Sequence, residues 1–148
     1  MAALTLTGCS TGRQLRWYDG PPLPREQVAI LKVQRAIFSE SCPVEKIDGK
    51  RITRDRQFVR NNTRRIELLP GTHTLSVIFL DRPGHSTSNA LLTATFKPGH
   101  TYELKAAQIN ESLGRTAWRH TFGGTYLWTA WILDSETKEI VAGRPLTE

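Results

Sequence analysis

Two Pro-Gly dipeptides, Pro70-Gly71 and Pro98-Gly99, cut the middle of the chain into short runs with a two-residue hydrophobic period. Proline presets φ at the first corner of a tight turn and glycine accepts a positive φ at the second, so each pair reverses the chain. On the flanks, Leu75, Val77 and Phe79 alternate with Thr74 and Ser76. Leu92, Ala94 and Phe96 alternate with Leu91, Thr93 and Thr95, and Tyr102 and Leu104 with Glu103 and Lys105. Alternation rich in β-branched and aromatic residues predicts half-buried strands. Read locally, residues 66–79 and 91–106 form two antiparallel hairpins in tandem, which need a second apolar layer to cover them.

The rest of the chain supplies that layer. Residues 27–33 are nearly continuously apolar, as a central strand buried on both faces requires. Residues 44–47 and 50–52 flank Asp48-Gly49, a dipeptide suited to a two-residue hairpin turn with both φ angles positive. Residues 125–133 form a strong core strand, 134–138 a turn, and 139–142 the returning strand. Trp128 and Trp131 fall on opposite faces of that strand, one toward the core. No segment shows a convincing helical period. A chain of 148 residues, 39% hydrophobic and 23% charged, has enough apolar surface for one core. The expected fold is all-β, with about eight strands in a two-sheet antiparallel sandwich, immunoglobulin-like or transthyretin-like. The sandwich spans residues 26–143, followed by a tail, 144–148.

Leu6-Thr7-Gly8-Cys9 resembles the lipobox of bacterial lipoproteins: an aliphatic residue, two small residues and the cysteine that is acylated. The resemblance implies cleavage before Cys9, lipidation of its thiol, and sorting to the periplasmic face of the outer membrane, since Ser10 rather than Asp follows. No Lys or Arg precedes Cys9 and the apolar run is short, a departure from a full export signal. Residues 1–8 therefore read as the residue of a signal peptide and residues 9–25 as a lipidated, proline-stiffened tether. Within the tether, Trp17-Tyr18 is expected to pack on the domain. The lipobox, tether and β domain together are similar to bacterial outer-membrane lipoproteins. The run Pro70-Gly71-Thr72-His73-Thr74-Leu75 is similar to PEGA-type β modules. Neither resemblance implies an activity.

The formal net charge is +6 and the pI near 9.7, which favours anionic surfaces. Residues 50–65 concentrate this charge in Lys50, Arg51, Arg54, Arg56, Arg60, Arg64 and Arg65, against Asp55. Such a run serves either as a solvated strand edge that blocks aggregation or as a contact for an anionic partner. Only Phe58 interleaves it, so a stacking platform for nucleic acid is not expected. The long loop beyond residue 109 brings Arg115, Trp118, Arg119 and His120 together as a second candidate binding site.

His85, Ser86 and Ser88 lack a nucleophile elbow and a placed acid. His73 and His100 both follow Pro-Gly turns, which suggests two similar hairpins rather than a metal pair. Cys42 reads as a small buried hydrophobe. No metal set, cofactor motif or catalytic group is recognised, and no enzyme is expected. The reading is a lipid-anchored, non-enzymatic envelope protein that binds a periplasmic protein or an envelope polymer. The alternative is a module that binds an anionic glycan, lipid or nucleic acid through residues 50–65.

Overall fold

The computed structural model describes residues 13–33, 42–52, 63–81, 84–85, 89–108 and 128–145. Two packed sheets form an all-β sandwich. The larger sheet has six strands: β1 (Arg13–Arg16), β5 (Thr63–Leu68), β2 (Ala29–Val33), β10 (Thr101–Gln108), β11 (Trp128–Asp134) and β12 (Ile140–Gly143), in that spatial order. The smaller has four: β4 (Lys50–Arg51), β3 (Val44–Ile47), β6 (Gly71–Val77) and β9 (Ala90–Phe96). A short ladder, β7 (Leu80–Asp81) with β8 (Gly84–His85), lies between β6 and β9 in the chain. A single 3₁₀ turn, Arg25–Gln27, precedes β2.

The predicted faces hold. Leu75, Val77, Phe79, Leu92, Ala94, Phe96, Tyr102 and Leu104 are all buried, while Leu91, Thr93 and Thr95 are exposed. Along β2, Ala29, Ile30 and Leu31 are all buried, as expected of a central strand. The Asp48-Gly49 hairpin forms with φ of 51° and 77°. Trp128 stacks on Phe79 with ring centroids 5.6 Å apart, and Trp131 lies on the opposite face.

The two tandem hairpins do not form. β5 and β6 belong to different sheets, and so do β9 and β10. Each Pro-Gly is a corner at which the chain leaves one sheet and enters the other. A sandwich core explains this: Leu68 and Leu75, or Phe96 and Tyr102, meet across the core rather than side by side. β6 pairs with β9 instead, over Gly71↔Phe96 to Val77↔Ala90. Two ladders are parallel, β1 with β5 and β2 with β10, because a chain that changes sheets returns in the same direction. Part of the segment expected as a tether, residues 9–25, enters the sandwich instead. Arg13–Arg16 is an edge strand, and Trp17 N–H donates to the Glu67 carbonyl at 2.8 Å. Trp17 packs against the core, and the Tyr18 hydroxyl donates to Glu67 Oε2 at 3.0 Å.

Strand direction gives the sandwich two unlike ends. The starts of β1, β5 and β11 and the ends of β2, β10 and β12 meet at one end. The end of β6 and the start of β9 lie there too, since the two corners sit at the opposite end. The connections 34–41, 53–62 and 109–127 join strand ends at this first end, called here the loop end. The opposite, turn end is closed by Asp48-Gly49, both Pro-Gly corners and the β11–β12 turn.

Candidate functional site

On the outer face of the six-stranded sheet, where β1 and β5 start and β2 ends, register builds a basic group. Gln14, Arg65, Lys32 and Glu103 are successive cross-strand neighbours, and Lys105 lies opposite Trp131. Their sequence neighbours Ile66, Leu31 and Leu104 point into the core, so the alternation of each strand turns these side chains outward. β2 stops at Val33 while β10 runs on to Gln108. That step leaves an open groove of about 450 Å³ lined by Lys32, Val33, Glu103, Lys105 and Trp131, with backbone of Leu104 and Ala106.

Lys105 Nζ lies 3.1 Å from Glu103 Oε2. Its hydrogen bond holds the Glu103 carboxyl below the usual range against partial burial, and its charge, the Ser135 hydroxyl and Lys32 add to the effect. Arg65 Nε is buried with no hydrogen-bond partner among the described residues. A buried unpaired donor costs about 1–3 kcal/mol, so stability alone does not account for arginine there.

The predicted basic stretch is divided by the fold. Lys50 and Arg51 lie in β4, an edge of the four-stranded sheet, on the hairpin whose tip is at the turn end. Arg51 faces Glu45 at 3.5 Å. Arg64 and Arg65 lie in β5 of the other sheet. Arg54, Arg56, Arg60, Arg115, Trp118, Arg119, His120 and Cys9 fall outside the described residues. Lys32, Lys105 and Trp131 were missed because they lie in three strands far apart in sequence. The available signal was the outward parity of Lys32 and Lys105, since each is flanked by apolar residues.

The turn end is tied by two His–Asp contacts. His73 Nδ1 lies 2.6 Å from Asp48 Oδ2, and its Nε2 is 2.9 Å from the Leu69 carbonyl. His100 Nδ1 lies 2.8 Å from Asp134 Oδ2. His100, Asp134 and Glu136 place their ligand atoms within 4.8 Å of one another, close enough to hold a cation. The oxygens already have partners, however. Asp134 Oδ1 accepts the N–H groups of Glu136 and Thr137 at 2.9 and 3.3 Å, and Glu136 Oε2 accepts that of Thr101 at 2.8 Å. The group fastens the β11–β12 turn to the β9–β10 corner.

The outer face of β6 and β9 is uncharged. Thr72 and Thr95 hydroxyls pair at 2.9 Å, Thr74 and Thr93 at 3.0 Å, and Leu91 stands 71% exposed beside them on the edge strand. Cys42 is buried in the core. No family model, no curated protein and no solved structure matches this chain. Among the described residues, no helix is long and apolar enough to cross a membrane.

Proposed function

We propose that this protein is a lipid-anchored, non-enzymatic binding module of the bacterial cell envelope. Acylation at Cys9 would moor it to the outer membrane, and the sandwich would bind a periplasmic protein or an envelope polymer. The observation that carries the reading is one of spacing. Only Ser10, Thr11 and Gly12 separate the lipobox-like cysteine from Arg13, the first residue of a strand hydrogen-bonded into the domain. An acyl group at Cys9 would therefore fix the orientation of a rigid body rather than trail it on a leash.

The uncharged face of β6 and β9 supports the choice of a neutral polymer or protein surface as the partner. A flat hydroxyl ladder beside an exposed leucine on an edge strand offers hydrogen bonds and apolar contact without charge selection. The test is mass spectrometry of the native N-terminus together with membrane fractionation. It is followed by crosslinking from a photoreactive residue at position 91. Acyl mass on Cys9, recovery with the outer membrane and a discrete crosslinked partner are expected. An unmodified Cys9 in the soluble fraction overturns the anchoring, and a crosslink pattern unchanged by Thr93→Lys overturns the binding face.

A further inference from the structure

We propose that the loop end of the six-stranded sheet docks on anionic phospholipid, with Lys32, Arg65 and Lys105 at the headgroups and Trp131 in the interface. The inference rests on the anchoring reading above for its orientation, and on the structure for its residues. β1 starts at the loop end, paired with the start of β5. The described chain thus begins beside the basic group and not at the turn end. Four residue steps from Cys9 to Arg13 span at most about 14 Å even when fully extended. A lipidated Cys9 would hold the loop end against the headgroups, and the turn end would face away.

The chemistry of this end suits that placement. Neighbouring strands lie about 4.8 Å apart and rise about 3.3 Å per residue, so Arg65 and Lys32 are adjacent and Lys105, two residues further along β10, lies about 12 Å from Arg65. Lys32 is exposed, and Lys105 keeps 40% of its side-chain surface. Glu103 is the one carboxylate in the row; Glu67, two residues from Arg65 on the same face, is bound to Gln14 and the Tyr18 hydroxyl, and Asp134 is buried in the contacts of the β11–β12 turn. The connections 34–41, 53–62 and 109–127 carry six arginines, no lysine and three acids. Trp131 lines an open groove beside Lys105, and an amphipathic indole with a flanking cation is the pairing that settles at a membrane–water interface.

The test uses the full chain with Cys9→Ser, so that no acyl group contributes, and sedimentation with vesicles of phosphatidylglycerol or of phosphatidylcholine. Binding to phosphatidylglycerol alone is expected, lost at high salt. Changing Lys32, Arg65 and Lys105 together to Gln should weaken it roughly a hundredfold, each basic group contributing about one kcal/mol at the surface. The matched change of Lys46, Lys50 and Arg51 should weaken it less than threefold. If the triple variant loses its native circular dichroism, Lys32→Glu alone, at an exposed position, should still weaken binding at least tenfold. Equal binding to both vesicles, no binding, or equal losses in the two triple variants overturns the proposal. Acylated Cys9 without vesicle binding defeats this inference alone; unmodified Cys9 with vesicle binding defeats the anchoring alone.

Discussion

His100 Nδ1 stands 2.8 Å from Asp134 Oδ2, a contact that joins the β9–β10 corner to the β11–β12 turn across 34 residues of sequence. Burial would push the Asp134 carboxyl up. The His100 contact and the N–H groups of Glu136 and Thr137 outweigh burial and hold it below the usual range. Asp48 is likewise lowered: His73, the Thr74 N–H and Lys50 overcome its partial burial. A carboxyl with a depressed native pKa binds its proton more readily in the unfolded chain. Its contribution is complete above the ordinary value of about 3.9 and is lost as pH falls through the native value. Asp134→Asn should therefore cost about 1–3 kcal/mol at pH 7, and the gap to the parent should close below pH 4. Urea midpoints across that range measure it, and a constant gap down to the most acid point would contradict the assignment.

Tyr102 connects the same corner to the core. Its ring meets Phe96 edge-on at 4.7 Å, and its hydroxyl accepts the Lys97 N–H at 2.8 Å. Burial chiefly, with the charges of Asp134 and Glu136, raises its phenol pKa despite that bond. Tyr102→Phe should keep the packing and lose about 1 kcal/mol through the stranded N–H. Tyr102→Ala should lose about 3–5 kcal/mol, as large core truncations do. Equal losses in thermal melts of the two variants would show that the hydroxyl, not the ring, does the holding.

The contrast between faces and pairings explains what sequence could reveal. Alternation is local, so the inward placement of Leu75, Leu92 and Tyr102 was legible from neighbours two residues away. A Pro-Gly pair announces a reversal but not whether the next strand lies beside the last or across the core. Only the mutual burial of Leu68, Leu75, Phe96 and Tyr102 decides that, and it is a property of the whole chain. β1 was illegible for a related reason. Its sequence, Arg13-Gln14-Leu15-Arg16, has a single apolar residue, and its strand conformation follows from pairing with β5. The basic stretch 50–65 was visible, but a run that changes sheets cannot keep its charges together.

Gly143 ends β12 with φ of 74°, opposite Trp131. A Cβ there would fall onto the Ala130 carbonyl oxygen and 2.8 Å from Trp131 Cα, in a backbone region that side chains rarely adopt. The obstacle is backbone, which cannot swing aside. Gly143→Ala should cost more than about 2 kcal/mol and release β12 from the sheet edge. Hydrogen exchange at Ala142 and Ile132 reads the release directly. Protection there equal to the parent's would mean that the edge accommodates the methyl.

Cys42 offers a clean control for a test of the proposed acylation at Cys9. Burial pushes its thiol up to about 12, and the thiolate is the reactive form. At pH 8 only about one molecule in ten thousand carries that thiolate, before access through the core is counted. Maleimide should therefore leave Cys42 unlabelled in the folded protein for hours and label it within minutes in guanidinium. Any label taken up by the native chain then belongs to Cys9. Envelope-derived protein should take no label when folded and one when unfolded, whereas Cys9→Ser protein made in the cytosol should behave identically. Parent chain made in the cytosol, with both thiols free, should gain a second. Rapid native labelling of the Cys9→Ser chain would show that Cys42 is reachable, and with it that the core beneath Pro43 and Val44 opens on the labelling timescale.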